Sequence, residues 1–203
     1  MLGCVRVYAL YGKFMTDSLL SFGTNQSLAE IDLRSTFDLA ISKVTEMPDT
    51  TITRISRTYS TPAVPVDSGP DFLNAVALVK TAYQPKQLLA MLHGIEDKLG
   101  RIRPVRWGPR VCDIDLLAFG DLIAPNHEIL QTWMALDDDT ARATPPDQLL
   151  LPHPRMHRRG FVLLPLLEVA PDWTHPVLGQ TVREMVDALP PEATRGICAL
   201  DED

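Results

Sequence analysis

The sequence predicts an α+β fold of the ferredoxin-like βαββαβ type, in which helices pack on one face of an antiparallel sheet. The first observation is that strand-like and helix-like segments follow one another in the order β-α-β-β-α-β. The second is that 45% of the 203 residues are hydrophobic and 22% are charged, which is typical of one globular domain with a sizeable core. We therefore expect a single domain built as a sheet-and-helix sandwich.

The first strand and the first helix are predicted from local signals. Leu19 to Phe22 forms an apolar run that ends at Gly23-Thr24-Asn25, as a short strand would. The helix that follows can be capped by Ser27 or by Asp32, and Pro48 ends it. Its apolar side chains recur at helical spacing, at Ile31, Phe37, Ala40, Ile41 and Val44.

Two further strands, a second helix and a last strand follow along the chain. Thr51 to Tyr59 is rich in β-branched residues and predicts a strand, with Phe72 to Thr81 as its partner across a loop rather than a tight hairpin. Pro85 stands where a helix tolerates proline, in its first turn, and Gly100 closes that helix. The last strand is predicted over Val111 to Phe119. The apolar stripe of the second helix consists of Leu88, Leu89, Leu92, Ile95 and Leu99.

We expect one domain over residues 15–190, with an N-terminal extension at 1–14 and a C-terminal tail at 191–203. Residues 126–146 are predicted to form a surface insertion that is partly helical around Glu128 to Leu136. The insertion contains the run Asp137-Asp138-Asp139. Because three consecutive residues cannot all face one ion in regular structure, this run is predicted to be solvated rather than metal-binding.

Charge and cysteine content narrow the class of protein. The formal net charge of −7 argues against a nucleic-acid binder, and no apolar run approaches the roughly 20 residues of a membrane span. Cys4, Cys112 and Cys198 are too scattered for a zinc site and odd in number, which favours a reduced, cytoplasmic compartment over a disulfide framework. Local basic stretches in an acidic chain then indicate a small anionic ligand.

The stretch from Arg101 to Gly120 carries the strongest chemical signal. In its second half, Asp113 and Asp115 alternate with apolar residues, so on a strand the two carboxylates share one face roughly 6.6 Å apart. Oxygen ligands at this spacing suit a hard divalent ion such as Mg²⁺, which is commonly shared with a nucleotide phosphate. The alternative is a purely structural role, in which the two acids lie at a strand end and pair with lysines.

The first half of the same stretch is rich in arginine. Pro104, Gly108 and Pro109 rule out a continuous helix, so the guanidinium groups lie on a loop beside the aspartates, where they suit polyphosphate charge. A solvated loop that pairs with surface acids is the alternative. Neither a P-loop nor a Rossmann fingerprint occurs in the sequence. The loop arginines are Arg101, Arg103, Arg106 and Arg110.

The chain resembles the 6-hydroxymethyl-7,8-dihydropterin pyrophosphokinases of folate biosynthesis. The matching segments are F-G-T-N at 22–25, Y-S-T-P at 59–62, P-D-F-L-N-A-V at 70–76, I-E at 95–96, R-W-G-P-R-V-C-D-I-D at 106–115 and P-H-P-R-M-H-R-R-G-F at 152–161. The resemblance implies the ferredoxin-like fold, a monomer, and transfer of pyrophosphate from ATP to the pterin hydroxymethyl group. A non-catalytic paralogue that binds pterin or nucleotide is the alternative reading, and an RNA-binding module is disfavoured by the acidic net charge.

The resemblance also implies roles for individual residues. Catalytic roles fall on Arg101, Arg110 and Asp115, and two Mg²⁺ ions on Asp113 and Asp115. ATP contacts fall on Glu96, Arg103, Trp107, Arg110, Leu116, His153 and Arg159. Contacts with 6-hydroxymethyl-7,8-dihydropterin fall on Thr61, Pro62, Val64, Phe72, Asn74, Asp113 and Phe161. Phe72 and Phe161 also fit an ordinary core.

Three positions depart from the family pattern. His93 stands where the family has an amide side chain, Pro104 replaces a basic residue, and Pro154 replaces an aromatic residue after the motif histidine. We expect these departures to affect the affinity for ATP or the kinetics of the arginine loop. Both aspartates and every pterin residue of the family pattern are retained.

Overall fold

The protein is described from a computed structural model, which covers residues 14–63, 69–100, 111–144 and 146–200. The strands are β1 (Thr16–Thr24), β2 (Thr50–Ile55), β3 (Tyr59–Thr61), β4 (Phe72–Thr81), β5 (Asp113–Phe119) and β6 (Cys198–Ala199). The helices are α1 (Leu33–Thr45), α2 (Pro85–Lys98), α3 (His127–Met134), α4 (Asp138–Ala143), α5 (Gly160–Val169) and α6 (Val182–Asp187).

The strands form one antiparallel sheet with β4 near its centre. β1 pairs with one side of β4, and β5 pairs with the outer side of β1. The other side of β4 is shared, since β2 pairs with residues 77–81 and β3 pairs with residues 72–74. β6 adds a short outer strand beside β3. Residues 198–199, in the part of the chain expected to be a tail, therefore belong to the sheet.

The single strand predicted over residues 51–59 is divided in the structure. The register shifts between Ile52 and Arg54, and β2 ends at Ile55. Ser56 then bonds twice to Val76, donating from its backbone nitrogen to the carbonyl oxygen (2.9 Å) and accepting from the backbone N–H on its hydroxyl (3.0 Å). This side-chain bond replaces a ladder bond, so regular pairing resumes only at Tyr59.

Helix α1 begins later than its apolar pattern suggested. Asp32 is its N-cap, and the Asp32 carboxylate accepts from the backbone N–H of Ser35 at 2.8 Å. Ile31 precedes the cap and is 38% exposed, so its assignment to the apolar face was wrong. Helix α2 begins at Pro85, as predicted, and Gly100 follows it with a φ of +83°, a conformation that glycine adopts without strain.

Helices cover both faces of the sheet, so the expectation of helices on one face was wrong. On one face, Leu20 and Phe22 of β1 pack with Phe37 of α1 and with Leu88 and Leu92 of α2. The opposite face is covered by α5 and α6, which were not predicted. Helix α5 reads G-F-V-L-L-P-L-L-E-V, and an apolar sequence on all sides gives no amphipathic stripe to detect. The second core consists of Leu19, Val76, Leu117, Val162, Leu163, Leu166, Val182 and Met185, among others.

The predicted insertion contains α3 and α4. Asp137, the first member of the aspartate run, is the N-cap of α4 and accepts from the backbone N–H of Thr140 at 2.8 Å. Arg158 donates from Nη2 to the carbonyl oxygen of Leu136 at 2.8 Å, which ties the insertion to the domain. In the part of the chain that the structure describes, no helix is both long and apolar enough to cross a membrane.

Candidate active site

One row of opposed residues crosses four strands of the sheet. Asp113 of β5 lies opposite Gly23 of β1, Gly23 lies opposite Asn74 of β4, and Asn74 lies opposite Tyr59 of β3. Directly opposed residues of antiparallel strands project to the same face. Val76, two residues after Asn74, packs in the core beneath α5, so this row belongs to the α5 face. The sheet therefore gathers a polar row beside α5.

Asp113 and Asp115 project together onto this face, as their spacing predicted. Asp115 lies opposite Ser21, just as Asp113 lies opposite Gly23, so two small residues adjoin the carboxylates. The Asp115 side chain is 41% exposed, and Arg159 Nη1 lies 4.0 Å from its Oδ2. This distance is longer than a hydrogen bond. The two groups thus interact by charge across an open edge of the site.

Arg159 connects the aspartates to the helix above them. It is the residue that immediately precedes α5, and its guanidinium carbon lies 5.5 Å from the centroid of the Phe161 ring. A cation at this distance from an aromatic centroid is attracted by the ring. The Arg159 side chain is 20% exposed, so one arginine lies between the carboxylate Asp115 and the ring Phe161.

His153 is held as a neutral ring with its proton on Nε2. Its Nδ1 accepts from the backbone N–H of Arg155 at 3.1 Å, and its backbone N–H donates to the carbonyl oxygen of Leu117 at 2.7 Å. Burial, followed by the charges of Arg159 and Arg155, lowers the pKa of His153 well below its usual value. Because Nδ1 is an acceptor, Nε2 carries the hydrogen and can donate to a ligand.

Asn74 and Thr61 form a buried amide–hydroxyl pair at the other end of the row. Asn74 Nδ2 donates to Thr61 Oγ1 at 2.8 Å, and the two residues are 6% and 5% exposed. A Cβ added to Gly23 would lie 3.3 Å from Asn74 Oδ1. Because Gly23 has no side chain, the amide oxygen of Asn74 can lie close above it.

The aromatic residues predicted for a planar ligand lie on two different elements that meet here. Phe72 is the first residue of β4 and lies opposite Thr61, which is followed by Pro62. Phe161 is the second residue of α5 and packs against the core under that helix. Both rings are only partly buried. A site between them would have β3 and β4 on one side and α5 on the other.

Glu96 and Leu116 are not brought to this face. Glu96 is 1% exposed on α2, and its Oε1 accepts from the backbone N–H of Ile114 at 2.8 Å. Leu116 is 4% exposed and packs with the core beneath α1 and α2. Glu96 thus supports β5 from the side opposite the aspartates, and Leu116 projects from β5 to that same side.

Several predicted site residues lie outside the described residues. These are the loop residues Arg101, Arg103, Trp107 and Arg110, the rim residue Val64, and residues 1–13 of the expected extension.

Sequence reasoning overlooked a cluster that joins β3 to α5. The Tyr59 hydroxyl donates to Glu168 Oε1 at 2.6 Å, and Arg57 donates to the same oxygen from Nη2 at 2.7 Å. Burial tends to raise the pKa of Glu168, but the hydrogen bonds from Arg57 and Tyr59 outweigh it and hold that pKa below its usual value. The sequence signal for this cluster was Glu168, a single acid in an otherwise apolar segment, because such an acid needs a polar partner.

The chain is similar in sequence to a known family of pterin enzymes. The sequence model of the 7,8-dihydro-6-hydroxymethylpterin-pyrophosphokinase (HPPK) family matches residues 19–171. A 2-amino-4-hydroxy-6-hydroxymethyldihydropteridine pyrophosphokinase of Bacillus subtilis is 35% identical over 150 residues, which cover 74% of this chain and 75% of the relative. The Pseudomonas aeruginosa protein of the same name is 35% identical over 158 residues, covering 77% and 84%.

Other relatives are longer than the part they share with this chain. The Synechocystis pyrophosphokinase is 36% identical over 118 residues, and the match spans 50% of that protein. Among solved structures, the wild-type HPPK-DHPS of Plasmodium falciparum has a TM-score of 0.58 at 18% identity, covering 85% of this chain and 44% of that one. This likeness concerns the fold. On the extent of the family match and the identity to the bacterial relatives, the chain belongs to the 7,8-dihydro-6-hydroxymethylpterin-pyrophosphokinase family.

Proposed function

We propose that the chain transfers a pyrophosphoryl group from ATP to the hydroxymethyl group of 6-hydroxymethyl-7,8-dihydropterin, giving the pterin diphosphate and AMP in folate biosynthesis. Family membership supports this transferase activity. The observation that carries it is the row on the α5 face, where Asp113 and the buried Asn74–Thr61 pair flank Gly23. A nucleotide–metal site and a site for a planar heterocycle would then adjoin each other.

Asp113 and Asp115 would hold Mg²⁺, and two ions are proposed with the bound ATP. The fit rests on the chemistry of the donors, since carboxylate oxygens suit this hard cation, and on the small residues opposite them, Gly23 and Ser21. Two carboxylates leave most positions around the ions to phosphate oxygens and water. When bound, the ions would neutralise charge on the phosphate oxygens.

Two described residues are suited to bind the nucleotide phosphates. Arg159 would contact a phosphate with its guanidinium group, which is 4.0 Å from Asp115 Oδ2. His153 would donate from Nε2, because its Nδ1 is already an acceptor. Resemblance to the family adds the further ATP contacts of Arg103, Trp107 and Arg110, and the catalytic role of Arg101.

The pterin would lie between the rings of Phe72 and Phe161. Its donor and acceptor edge would be recognised by the Asn74 amide, with Thr61 holding that amide in place. Asp113 is at the aspartate end of the same row, which would bring the hydroxymethyl group toward the phosphates. Pro62 and Val64 complete the proposed rim.

In the proposed reaction, the pterin hydroxyl oxygen forms a bond to the β-phosphorus of ATP. The bond between that phosphorus and the oxygen bridging to the α-phosphate breaks, and AMP leaves with both bonding electrons. Asp115 accepts the hydroxyl proton. The negative charge on the transferred group is stabilised by Arg159 and by the loop arginines Arg101 and Arg110. The chain's contribution is mainly to align the two substrates and exclude water.

We propose further that β1, α1, the β2–β3 pair, β4, α2 and β5 form the ferredoxin-like βαββαβ unit. The antiparallel order with β5 beside β1, β1 beside β4, and β4 beside β2 and β3 supports this topology. The solved relatives support the fold as a whole. In this arrangement α5, α6 and β6 are additions to the unit.

A coupled assay for AMP release from ATP and Mg²⁺, with and without 6-hydroxymethyl-7,8-dihydropterin, tests the proposed function. The expected result is AMP formation that depends on the pterin, without ADP. Folded protein that binds the pterin in calorimetry and releases no AMP would instead indicate the non-catalytic paralogue. Release of ADP would contradict pyrophosphoryl transfer.

A further inference from the structure

The C-terminal segment, defined as residues 193–200, contacts both sides of the proposed pterin site. One side is the end of β3 with Thr61 and Pro62, and the other is the start of α5 with Phe161. These elements are about a hundred residues apart in sequence, so the distance between them must be set by contacts rather than by the chain. The C-terminal segment has no role in the proposed chemistry.

The segment is fastened to β3 along its backbone. Ala199 lies opposite Tyr59 and Cys198 lies opposite Ser60, and the backbone N–H of Leu200 donates to the carbonyl oxygen of Thr58 at 2.8 Å. Leu200 also packs against the core beneath α1 and α2. The segment therefore has a fixed position relative to β3.

The segment meets α5 at the first residue of that helix. A Cβ added to the buried Gly160 would collide with the carbonyl oxygen of Ala193 and would lie 3.1 Å from Cδ1 of Ile197. The collision is with backbone, which cannot rotate away. Only glycine at position 160 permits this close approach between the segment and the helix that carries Phe161.

The segment meets the opposite side of the site at Pro62. A Cβ added to Gly196 would lie 2.8 Å from Pro62 Cγ and 3.4 Å from Pro62 Cδ, and Gly196 has a φ of +73°. A proline ring is rigid, so it cannot yield as a flexible side chain would. Contacts at Gly196 and at Gly160 thus place one short segment against both sides.

We propose that the C-terminal segment sets the spacing between the β3 end and the α5 start, and thereby acts as a positioning element for the pterin. The inference rests on the proposed function, because it takes the space between Phe72 and Phe161 as the pterin site. Because a binding site has to be held within about 0.5 Å of its productive geometry, the position of each side affects how well the pterin fits between them. None of the contacts described above joins this segment to Asp113 or Asp115, which lie on the nucleotide side of the site.

The test compares Gly196→Ala with Gly179→Ala. Gly179 also has a positive φ, +66°, but a Cβ there would meet nothing within 4 Å, so the control carries the backbone strain without the contact. Displacing Pro62 by roughly half an ångström is expected to weaken pterin binding about tenfold in Gly196→Ala. Calorimetry would measure the Kd of the pterin and the Kd of a non-hydrolysable ATP analogue with Mg²⁺.

The expected result is a pterin Kd raised about tenfold in Gly196→Ala and within about twofold of wild type in Gly179→Ala, with the ATP-analogue Kd unchanged in both. Equal pterin affinity in the two variants, or a parallel loss of affinity for both ligands, would overturn the proposal. If Gly196→Ala does not fold, Ile197→Ala removes the contact with α5 at a partly exposed residue, and a smaller loss of pterin affinity alone is expected.

These readouts separate the inference from the proposed function. Binding is measured without turnover, so a protein that binds pterin but releases no AMP still tests the role of the segment. A wild-type protein with pterin-dependent AMP release and two variants of equal pterin affinity would contradict the inference while leaving the proposed function intact. A wild-type protein that does not bind the pterin would overturn both.

Discussion

Asn74 on β4 and Thr61 on β3 are joined by a 2.8 Å hydrogen bond from the amide Nδ2 to the hydroxyl Oγ1, and both residues are buried. The bond fixes which way the amide points, with its oxygen over Gly23. A buried polar pair of this kind is favourable only while both partners are present. The orientation of Asn74 is therefore sensitive to Thr61.

Replacing Thr61 by valine should destabilise the protein and weaken pterin binding together. Valine is nearly the same shape but leaves an amide hydrogen of Asn74 without its acceptor, so the free energy of unfolding should fall by about 1–3 kcal/mol. Urea unfolding measures this loss, and calorimetry measures the pterin Kd. Thr61→Ser keeps the hydroxyl and should lie much closer to wild type. Equal stability of Thr61→Val and wild type would show that the bond contributes nothing.

Removal of the Tyr59 hydroxyl should loosen the connection between β3 and α5. Burial, together with the hydrogen bond to Glu168, raises the pKa of Tyr59 to about 12, and the bond is 2.6 Å long. Because the Glu168 side chain is 25% exposed, we expect Tyr59→Phe to lower the free energy of unfolding by only about 1 kcal/mol. Urea unfolding checks this value.

Tyr83→Phe, at a partly buried tyrosine in the turn before α2, is the control for Tyr59→Phe. The two variants remove the same atom, so a larger loss at Tyr59 isolates the bond to Glu168. An equal loss in the two variants would contradict a specific role for that bond.

His175 should make stability fall between about pH 7.5 and pH 5. It is fully buried, its Nδ1 accepts from the backbone N–H groups of Val177 and Leu178, and burial followed by the charge of His157 lowers its pKa from 6.5 to about 4. A histidine with a lowered folded-state pKa binds a proton more readily when unfolded. Its contribution is complete above the unfolded pKa of 6.5 and is lost as pH falls toward 4.

The variant His175→Asn can accept the same backbone hydrogen bonds and has no charge to gain. Wild type should lose about 2 kcal/mol more of its free energy of unfolding than His175→Asn between about pH 7.5 and pH 5. Urea unfolding at the two pH values measures this difference. His127→Asn, at an exposed histidine, serves as the control. Identical pH dependence in wild type and His175→Asn would contradict the prediction.

The sequence was most informative where periodicity and end signals coincided. β4 spans Phe72–Thr81 as predicted, and α2 begins at Pro85, because strand-forming composition and a proline in the first turn are local properties. Helix α5 could not be found this way, since a helix with apolar residues all round has no polar face to mark it. β6 has only two residues and is held by its pairing with β3, which is a long-range contact.

The aspartate pair was predictable because its spacing alone places both side chains on one face of a strand. The position of Arg159 near Asp115 was not, because it depends on how α5 crosses the sheet. Glu168 and Gly196 could not be assigned from local pattern either. Their partners, Tyr59 and Pro62, are more than a hundred residues away, and an isolated acid or glycine does not indicate its partner.

Pterin-dependent AMP release by Asp115→Asn is the most direct test that the carboxylates on the α5 face perform the chemistry. Asp121→Asn, at an exposed residue just after the same strand, is the matched control. Asp115→Asn should lose at least about a hundredfold in kcat while its circular dichroism and urea unfolding match wild type, and Asp121→Asn should retain full activity. An Asp115→Asn protein that keeps activity within about tenfold of wild type would contradict the assignment.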